Sequence, residues 1–254
     1  MLTNFFIAIK NTALDILFPP VCFGCKNHLE NRDKFICDGC LASIKINNTL
    51  FCPVCQARLP ENKRVCSHGL KKTDEFPYLL AAAASYDDKI VRDLIHSYKY
   101  EYFDKLSSVL GAVLAAYLDS VIKNSKLEIK NFSVTYIPLH LFRERTRGFN
   151  QSKLLAEIIA EKFNLEIIGA LQRVRNNPPQ AKISKNNRAQ TKNHGKRQKN
   201  ISNAFEIAAS GKISGKNIIL VDDVYTSGAT ISEAAKILKR HGANKIIALV
   251  VARA

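Results

Sequence analysis

Residues 217–230 read NIILVDDVYTSGAT. An apolar run, Ile218-Ile219-Leu220-Val221, gives way to two adjacent carboxylates, Asp222 and Asp223, then to Val224, Tyr225 and the small polar run Thr226, Ser227, Gly228, Ala229, Thr230. Adjacent carboxylates repel one another. They become useful where paired sugar hydroxyls donate to them or a divalent cation sits against them. Gly228 lets the backbone turn closely round a ligand, and the following amides and hydroxyls face a helix N-terminus, which is a natural phosphate site. The plain alternative is an ordinary strand-to-helix loop whose aspartates cap the helix; a bare receiver-type acidic pocket would leave the run from Thr226 to Thr230 unexplained. Neither GxxxxGK(S/T) nor GxGxxG occurs, which excludes the commonest nucleotide loops.

The seven cysteines are the second chemical cluster, and all lie between positions 22 and 66. They read Cys22-x-x-Cys25, Cys37-x-x-Cys40, Cys52-x-x-Cys55 and Cys66, with His68 just beyond; the pair-opening cysteines at 22, 37 and 52 recur every 15 residues. Each CxxC turn offers two thiolates on one bend, and two turns complete a tetrahedral Zn²⁺ site. Four protein ligands leave no open position, so such a site is structural. Cys22, Cys25, Cys37 and Cys40 form a complete set. Cys52, Cys55 and Cys66 need a fourth ligand, for which His68 is the nearest, and interleaved pairing stays open. His28 reads as a solvated loop residue. A segment this small needs metal to hold its fold.

The elements that position these groups follow from hydrophobic periodicity. After residue 75, short β-branched runs at 78–85, 133–138, 167–174, 218–221 and 245–251 alternate with longer helical patterns at 89–98, 103–122, 151–163 and 229–241, the last stopped by Gly242. That alternation predicts an α/β fold with a parallel sheet covered by helices, whose ligands sit at the carboxyl ends of strands. Residues 106–122 are apolar but about a turn short of a bilayer and carry Asp119, so they read as a core helix with no membrane span. Residues 1–19 lack a basic leader and read as an amphipathic helix ending before Pro19 and Pro20 rather than as a signal peptide; a cytoplasmic location follows. The organisation expected is an N-terminal helix (1–19), a zinc-binding module (20–72) and an α/β domain (73–254).

Asp222–Thr230 resembles the PRPP-binding signature of type I phosphoribosyltransferases. Taken with the cysteine module, the Ile137-Pro138-Leu139-His140 strand end, the Arg143-to-Gln151 run RERTRGFNQ and Pro178-Pro179-Gln180, nearly the whole chain resembles the ComF/GntX family, the competence-associated, phosphoribosyltransferase-like group. The resemblance implies that Asp222 and Asp223 hold the ribose 2′- and 3′-hydroxyls and act in catalysis, that the 224–230 loop cradles the 5′-phosphate, and that Mg²⁺ accompanies PRPP. It also implies that a loop at 139–143 meets the pyrophosphate, which makes Leu139, His140, Arg143, Arg147 and Lys99 the expected pyrophosphate side, with Arg145 a further cation nearby. No base-recognition segment is identifiable after the loop; the last strand runs directly to Ala254.

Net charge is +16, from 38 lysines and arginines against 22 acids. Such an excess favours polyanionic partners. Between Glu166 and Glu206 there is no acidic residue, and residues 171–200 carry nine basic ones. This reads as a flexible basic loop at about 175–203, with Lys192, Lys196, Arg197 and Lys199 as contacts for single-stranded DNA. Aromatics are absent between Phe163 and Phe205, so base stacking has to come from elsewhere, with Phe149 and Tyr225 available. Two functions are compatible with these features: a PRPP-binding protein of DNA uptake with helicase-like or other competence partners, and a metabolic phosphoribosyltransferase with an unidentified acceptor.

Overall fold

A computed structural model describes residues 19–31, 33–59, 77–101, 103–125, 127–175, 204–208 and 212–254. The expected N-terminal helix, Cys66, His68, and the basic run holding Lys192, Lys196, Arg197 and Lys199 lie outside them.

The strands are β1 (Leu50–Phe51), β2 (Arg58–Leu59), β3 (Leu79–Ser85), β4 (Phe132–Tyr136), β5 (Glu166–Ile167), β6 (Leu171–Arg173), β7 (Phe205–Ile207), β8 (Asn217–Tyr225) and β9 (Ile246–Arg253). The helices are α1 (Asp38–Ser43), α2 (Lys89–Tyr100), α3 (Leu106–Ser125), α4 (Leu141–Arg147), α5 (Gln151–Phe163) and α6 (Ala229–Arg240). The main sheet has the order β2-β1-β3-β9-β8-β4-β5. From β3 to β5 every pairing is parallel, as the alternation of strand and helix predicts, while β1 and β2 extend the β3 edge antiparallel. The cysteine module is therefore built into the main sheet through Phe51 opposite Leu80.

Both faces of the sheet are covered, so the strands read as continuous apolar runs. Ile219 and Val221 face a core with α2, α3 and α5; Ile218 and Leu220 face a second core with α6, β6 and β7. β3 carries four consecutive alanines, Ala81 to Ala84, all fully buried. Alanine is a weak strand former, and its small side chain here brings α3 close to the sheet. Gly111 does the same between helices: a Cβ there would lie 2.7 Å from Ile158 of α5. Among the described residues, α3 is the helix long and apolar enough to cross a membrane, yet half of its apolar window is buried. It is a core helix.

Three expectations need correction. The single strand predicted at 167–174 is two: β5 ends the parallel sheet, and after Gly169 the chain turns to pair β6 with β7 in a separate antiparallel ribbon. The Ala170 amide bonds to Ile168 O at 2.8 Å, inside the turn, instead of continuing the ladder. The strand predicted to stop at Val221 runs on to Tyr225, because β9 continues beside it: Asp222 pairs with Val250, Val224 with Ala252 and Tyr225 with Arg253. The segment expected as a pyrophosphate loop at 139–143 enters a helix at Leu141, capped by His140 and ended by Gly148 at φ 84°.

Chain direction sets the site. From β4 the chain crosses to β5 through α5 on one face, and from β8 to β9 through α6 on the other. The order reverses between β4 and β8, and the crevice beyond their carboxyl ends is where ligands bind in such sheets. β4 stops at Tyr136, paired with Val221, so from Asp222 onward that edge of β8 is open.

Candidate functional site

The cysteine cluster follows from repeated local turns. In Cys22-x-x-Cys25 the Lys26 amide bonds to Cys22 O and the Cys22 amide to Asn27 O, with Lys26 at φ 65°. Cys52-x-x-Cys55 repeats this: Gln56 N to Cys52 O, Cys52 N to Ala57 O, and Gln56 at φ 55°. The middle pair differs, with Cys37 serving as the N-cap of α1 and its sulfur accepting from the Cys40 amide at 3.4 Å.

The sulfurs of Cys22, Cys25, Cys37 and Cys40 all lie within 4.8 Å of one another, and those of Cys25 and Cys37 are 3.9 Å apart. A tetrahedral site with Zn–S of about 2.3 Å needs sulfurs about 3.8 Å apart. Neighbouring knuckles thus pair rather than interleave. Cys22 Sγ also accepts from the amides of Gly24 and Cys37, at 3.3 Å each. Burial pushes the Cys22 thiol up, but these amides outweigh it and bring it down to about 6. Cys40, half-buried and beside three other sulfurs, is pushed up to about 12 by desolvation and by those neighbours. Four thiols this close ionise together only around a cation. Gly24 is required by the knuckle, since a Cβ there would sit 2.9 Å from Cys40 Sγ. Of the second set, Cys52 and Cys55 share a matching knuckle; their expected partners lie outside the described residues. His28 is exposed and joins Val21 in an isolated bridge.

A pocket forms at the reversal point. A small cup is lined by Asp222, Val224 and residues 225–231. Gly228, at φ 73°, starts α6 with no side-chain cap on the helix. Beside it the Ser227 hydroxyl is buried without a hydrogen-bond partner. An uncapped helix start with an unsatisfied buried hydroxyl is an anion site in both charge and hydrogen bonding. The residues present fit a phosphate.

Tyr225 lines this cup, but its side chain is only 2% exposed and packs in the core, which leaves no ring face for a stacked base. Its ring lies under Gly228, where any Cβ would collide with it. The hydroxyl donates to Pro53 O at 3.0 Å and meets Tyr78 OH at 3.2 Å, which in turn meets Ser232 Oγ in α6 at 3.1 Å. The side chain supports the loop from below and ties it to the Cys52–Cys55 knuckle. Phe149 likewise packs inward, its ring 5.5 Å from that of Tyr98.

The acidic pair is engaged on both members. Asp223 pairs with Lys99 at 2.7 Å, and Asp222 accepts from Ser152 Oγ at 2.9 Å and from the Asp223 amide at 2.9 Å. Burial, then the adjacent Asp223 charge, pushes Asp222 up to about 7. Burial works against the Lys99 charge, but Asp223 outweighs it and raises that ammonium. Lys99, expected on the pyrophosphate side, thus neutralises the acid pair.

The other expected pyrophosphate residues follow β4 in the chain, at the carboxyl end of the sheet. His140 accepts from the Phe142 amide through Nδ1 at 3.3 Å, and Leu139 is half-buried. Arg143 is held below its usual range by burial and by Arg147. Three residues were missed. Ser152 holds Asp222 from the first turn of α5. Gln151, 1% exposed, has a buried amide nitrogen without a partner. Arg173, lowered by burial and by Arg143, lies within electrostatic reach of Asp222. The signal for the first two was Asn150, an N-cap residue before an apolar-periodic run; its side chain accepts from the Lys153 amide.

Known proteins match both the cysteine-rich segment and the sheet that carries the pocket. Residues 13–70 match the double zinc ribbon domain and residues 151–254 the phosphoribosyl transferase domain. The chain is 25% identical to competence protein F of Haemophilus influenzae over 92% of this chain and 96% of that protein. It is 27% identical to DNA utilization protein YhgH of Escherichia coli K12, covering 89% and 93% of the two, and 27% identical to competence protein ComFC of Bacillus subtilis, covering 91% and 83%. With a four-cysteine zinc-ribbon cluster at one end of a phosphoribosyltransferase-type α/β sheet, the chain is similar along nearly its whole length to the competence and DNA utilization proteins.

Proposed function

We propose that this protein binds PRPP with Mg²⁺ in the 222–230 pocket and acts in DNA uptake and use, in contact with single-stranded DNA and with helicase-like or other competence proteins, in the cytoplasm. The relatives' names, competence and DNA utilization, support the process. The observation that carries the ligand is the buried, unpartnered Ser227 hydroxyl beside the uncapped start of α6. A 5′-phosphate there would satisfy Ser227 and the free amides, and its ribose hydroxyls would reach the acid pair. The divisions 1–19, 20–72 and 73–254 belong to the same reading, with the module at 20–72 bracing the pocket.

Bound Mg²⁺ would neutralise pyrophosphate oxygens and help that group leave. The protein's own part is electrostatic. Displacing pyrophosphate from C1 builds positive charge on the sugar, which Asp222 and Asp223 stabilise, and negative charge on the leaving group, which Arg143 and Arg147 meet. Asp222 has to give up its proton for this, and its position near neutrality allows it. The intact acidic pair also favours a second reading, a metabolic transferase with an unidentified acceptor.

Calorimetry with PRPP and Mg²⁺, beside a pyrophosphate-release assay over a panel of bases, tests both. Binding without release supports the uptake protein. Release with one base establishes the transferase. Absence of PRPP binding removes the pocket assignment.

A further inference from the structure

The pocket borders a surface of which the sugar-phosphate reading uses only Arg143 and Arg147, leaving its aromatic and apolar side chains without a role. Tyr100 closes α2 next to Lys99, which holds Asp223, and is 47% exposed. The Arg147 guanidinium lies 5.9 Å from its ring centroid, and the His96 ring stands 5.0 Å away on the preceding turn. Arg143 is within electrostatic reach of both Arg147 and Tyr100. On the first turn of the same short helix, Leu141 and Phe142 are 66% and 65% exposed. Large apolar side chains at that exposure, alternating with guanidinium groups, serve neither the core nor a purely ionic contact.

We propose that Tyr100 and Phe142 form a base-stacking shelf for single-stranded DNA beside the pocket, with Arg143, Arg145 and Arg147 against its phosphates. This rests on the reading above that the protein contacts single-stranded DNA. The chemistry selects the occupant. An acidic peptide would satisfy the arginines and leave the rings bare, and a duplex keeps its bases stacked within itself. An unpaired strand offers π-faces and phosphates at matching intervals, and arginine over an aromatic ring is a recurrent part of such platforms. The net charge of +16 suits a polyanion. The shelf also supplies the stacking that the aromatic-free basic run cannot. A strand lying here passes the mouth of the crevice holding Asp222, so that strand and sugar phosphate would occupy neighbouring sites.

The test uses the full chain and fluorescence anisotropy with two labelled probes of equal length, oligothymidylate and an abasic oligonucleotide with the same number of phosphates. The wild type is expected to prefer oligothymidylate about tenfold, in line with the typical contribution of one or two stacked bases. Tyr100→Ala and Phe142→Ala should each remove most of that preference and leave abasic binding unchanged, while Tyr100→Phe keeps it. Both side chains are exposed, so the variants should fold, which zinc content and melting temperature verify. Alanine variants that bind oligothymidylate like the wild type, or lose both probes equally, overturn the shelf. A wild type that binds neither probe overturns the DNA reading beneath it.

Discussion

Asp222 is the residue whose chemistry depends most on its surroundings. Its carboxyl is shifted to about 7, first by burial and then by Asp223. Between about pH 4 and 7 the folded protein keeps a proton that the unfolded chain has released, so stability falls as pH rises through that window and levels off above it. The group is partly open to solvent, so the fall should be about 2 kcal/mol, roughly half of what the full separation would give. Asp222→Asn should flatten that dependence, as urea unfolding at pH 4.5 and 7.5 can measure. Tyr225 yields a second expectation. Removing its hydroxyl in Tyr225→Phe leaves Pro53 O and Tyr78 short of a buried partner, a loss of about 1–2 kcal/mol. Phosphate affinity should fall with it, because the ring under Gly228 loses its anchor; calorimetry with ribose 5-phosphate reads the change. Unchanged affinity would mean that the loop holds its shape alone.

At the scale of elements, helix α3 and the cysteine knuckles test packing and metal separately. Gly111→Ala gains about 1 kcal/mol of helix propensity but pushes a methyl to 2.7 Å from Ile158, and overpacking of that kind outweighs the gain at about 1–3 kcal/mol. The variant should lower the melting temperature, and combining it with Ile158→Val should recover part of the loss. For the knuckles, Cys22→Ser should abolish one zinc equivalent by metal analysis. Because β1 pairs with β3, the loss should also loosen amide exchange in residues 50–51 and along the β3 edge. Loss of metal from Cys52 and Cys55 variants but not from Cys22 and Cys25 variants would reverse the ranking of the two sets.

The whole molecule joins these parts. The Cys52 knuckle reaches the phosphate loop through Pro53, Tyr225, Tyr78 and Ser232, and Arg253 at the end of β9 stacks on Phe51, 4.4 Å from the ring centroid, while bonding to Gln56. The ribbon is thus a wall of the catalytic-type domain, and its metal and the pocket's ligand should stabilise each other by linkage. A chelator-treated protein should bind ribose 5-phosphate several-fold more weakly than the zinc form. The charge excess makes a separate prediction. Neutralising Lys192, Lys196, Arg197 and Lys199 should reduce the magnitude of the log-affinity against log-salt slope for single-stranded DNA by about 3 if all four meet phosphates. An unchanged slope would remove the basic run from the interface.

Much of this was legible locally. An apolar strand, an acid pair and a small polar helix start sit within fourteen consecutive residues, and each CxxC turn is a four-residue bend, so neither needed the fold to be recognised. Helix α5 was readable to its boundaries because Asn150 caps a strongly periodic run. Whatever depended on distant partners was not. β8 runs through Asp222 because β9 lies alongside, the chain at 167–174 divides because its second half finds β7, and Tyr225 is buried because Pro53, 172 residues earlier, accepts its hydroxyl. Residue types and their spacing carried the ligand chemistry that could be read without the fold: thiolates for zinc and, for the proposed sugar phosphate, carboxylates beside a small polar turn around Gly228. Tertiary structure alone decided that Lys99 and Ser152 restrain the acids and that the zinc ribbon braces the pocket, since those contacts join segments that only the folded sheet brings within hydrogen-bonding distance.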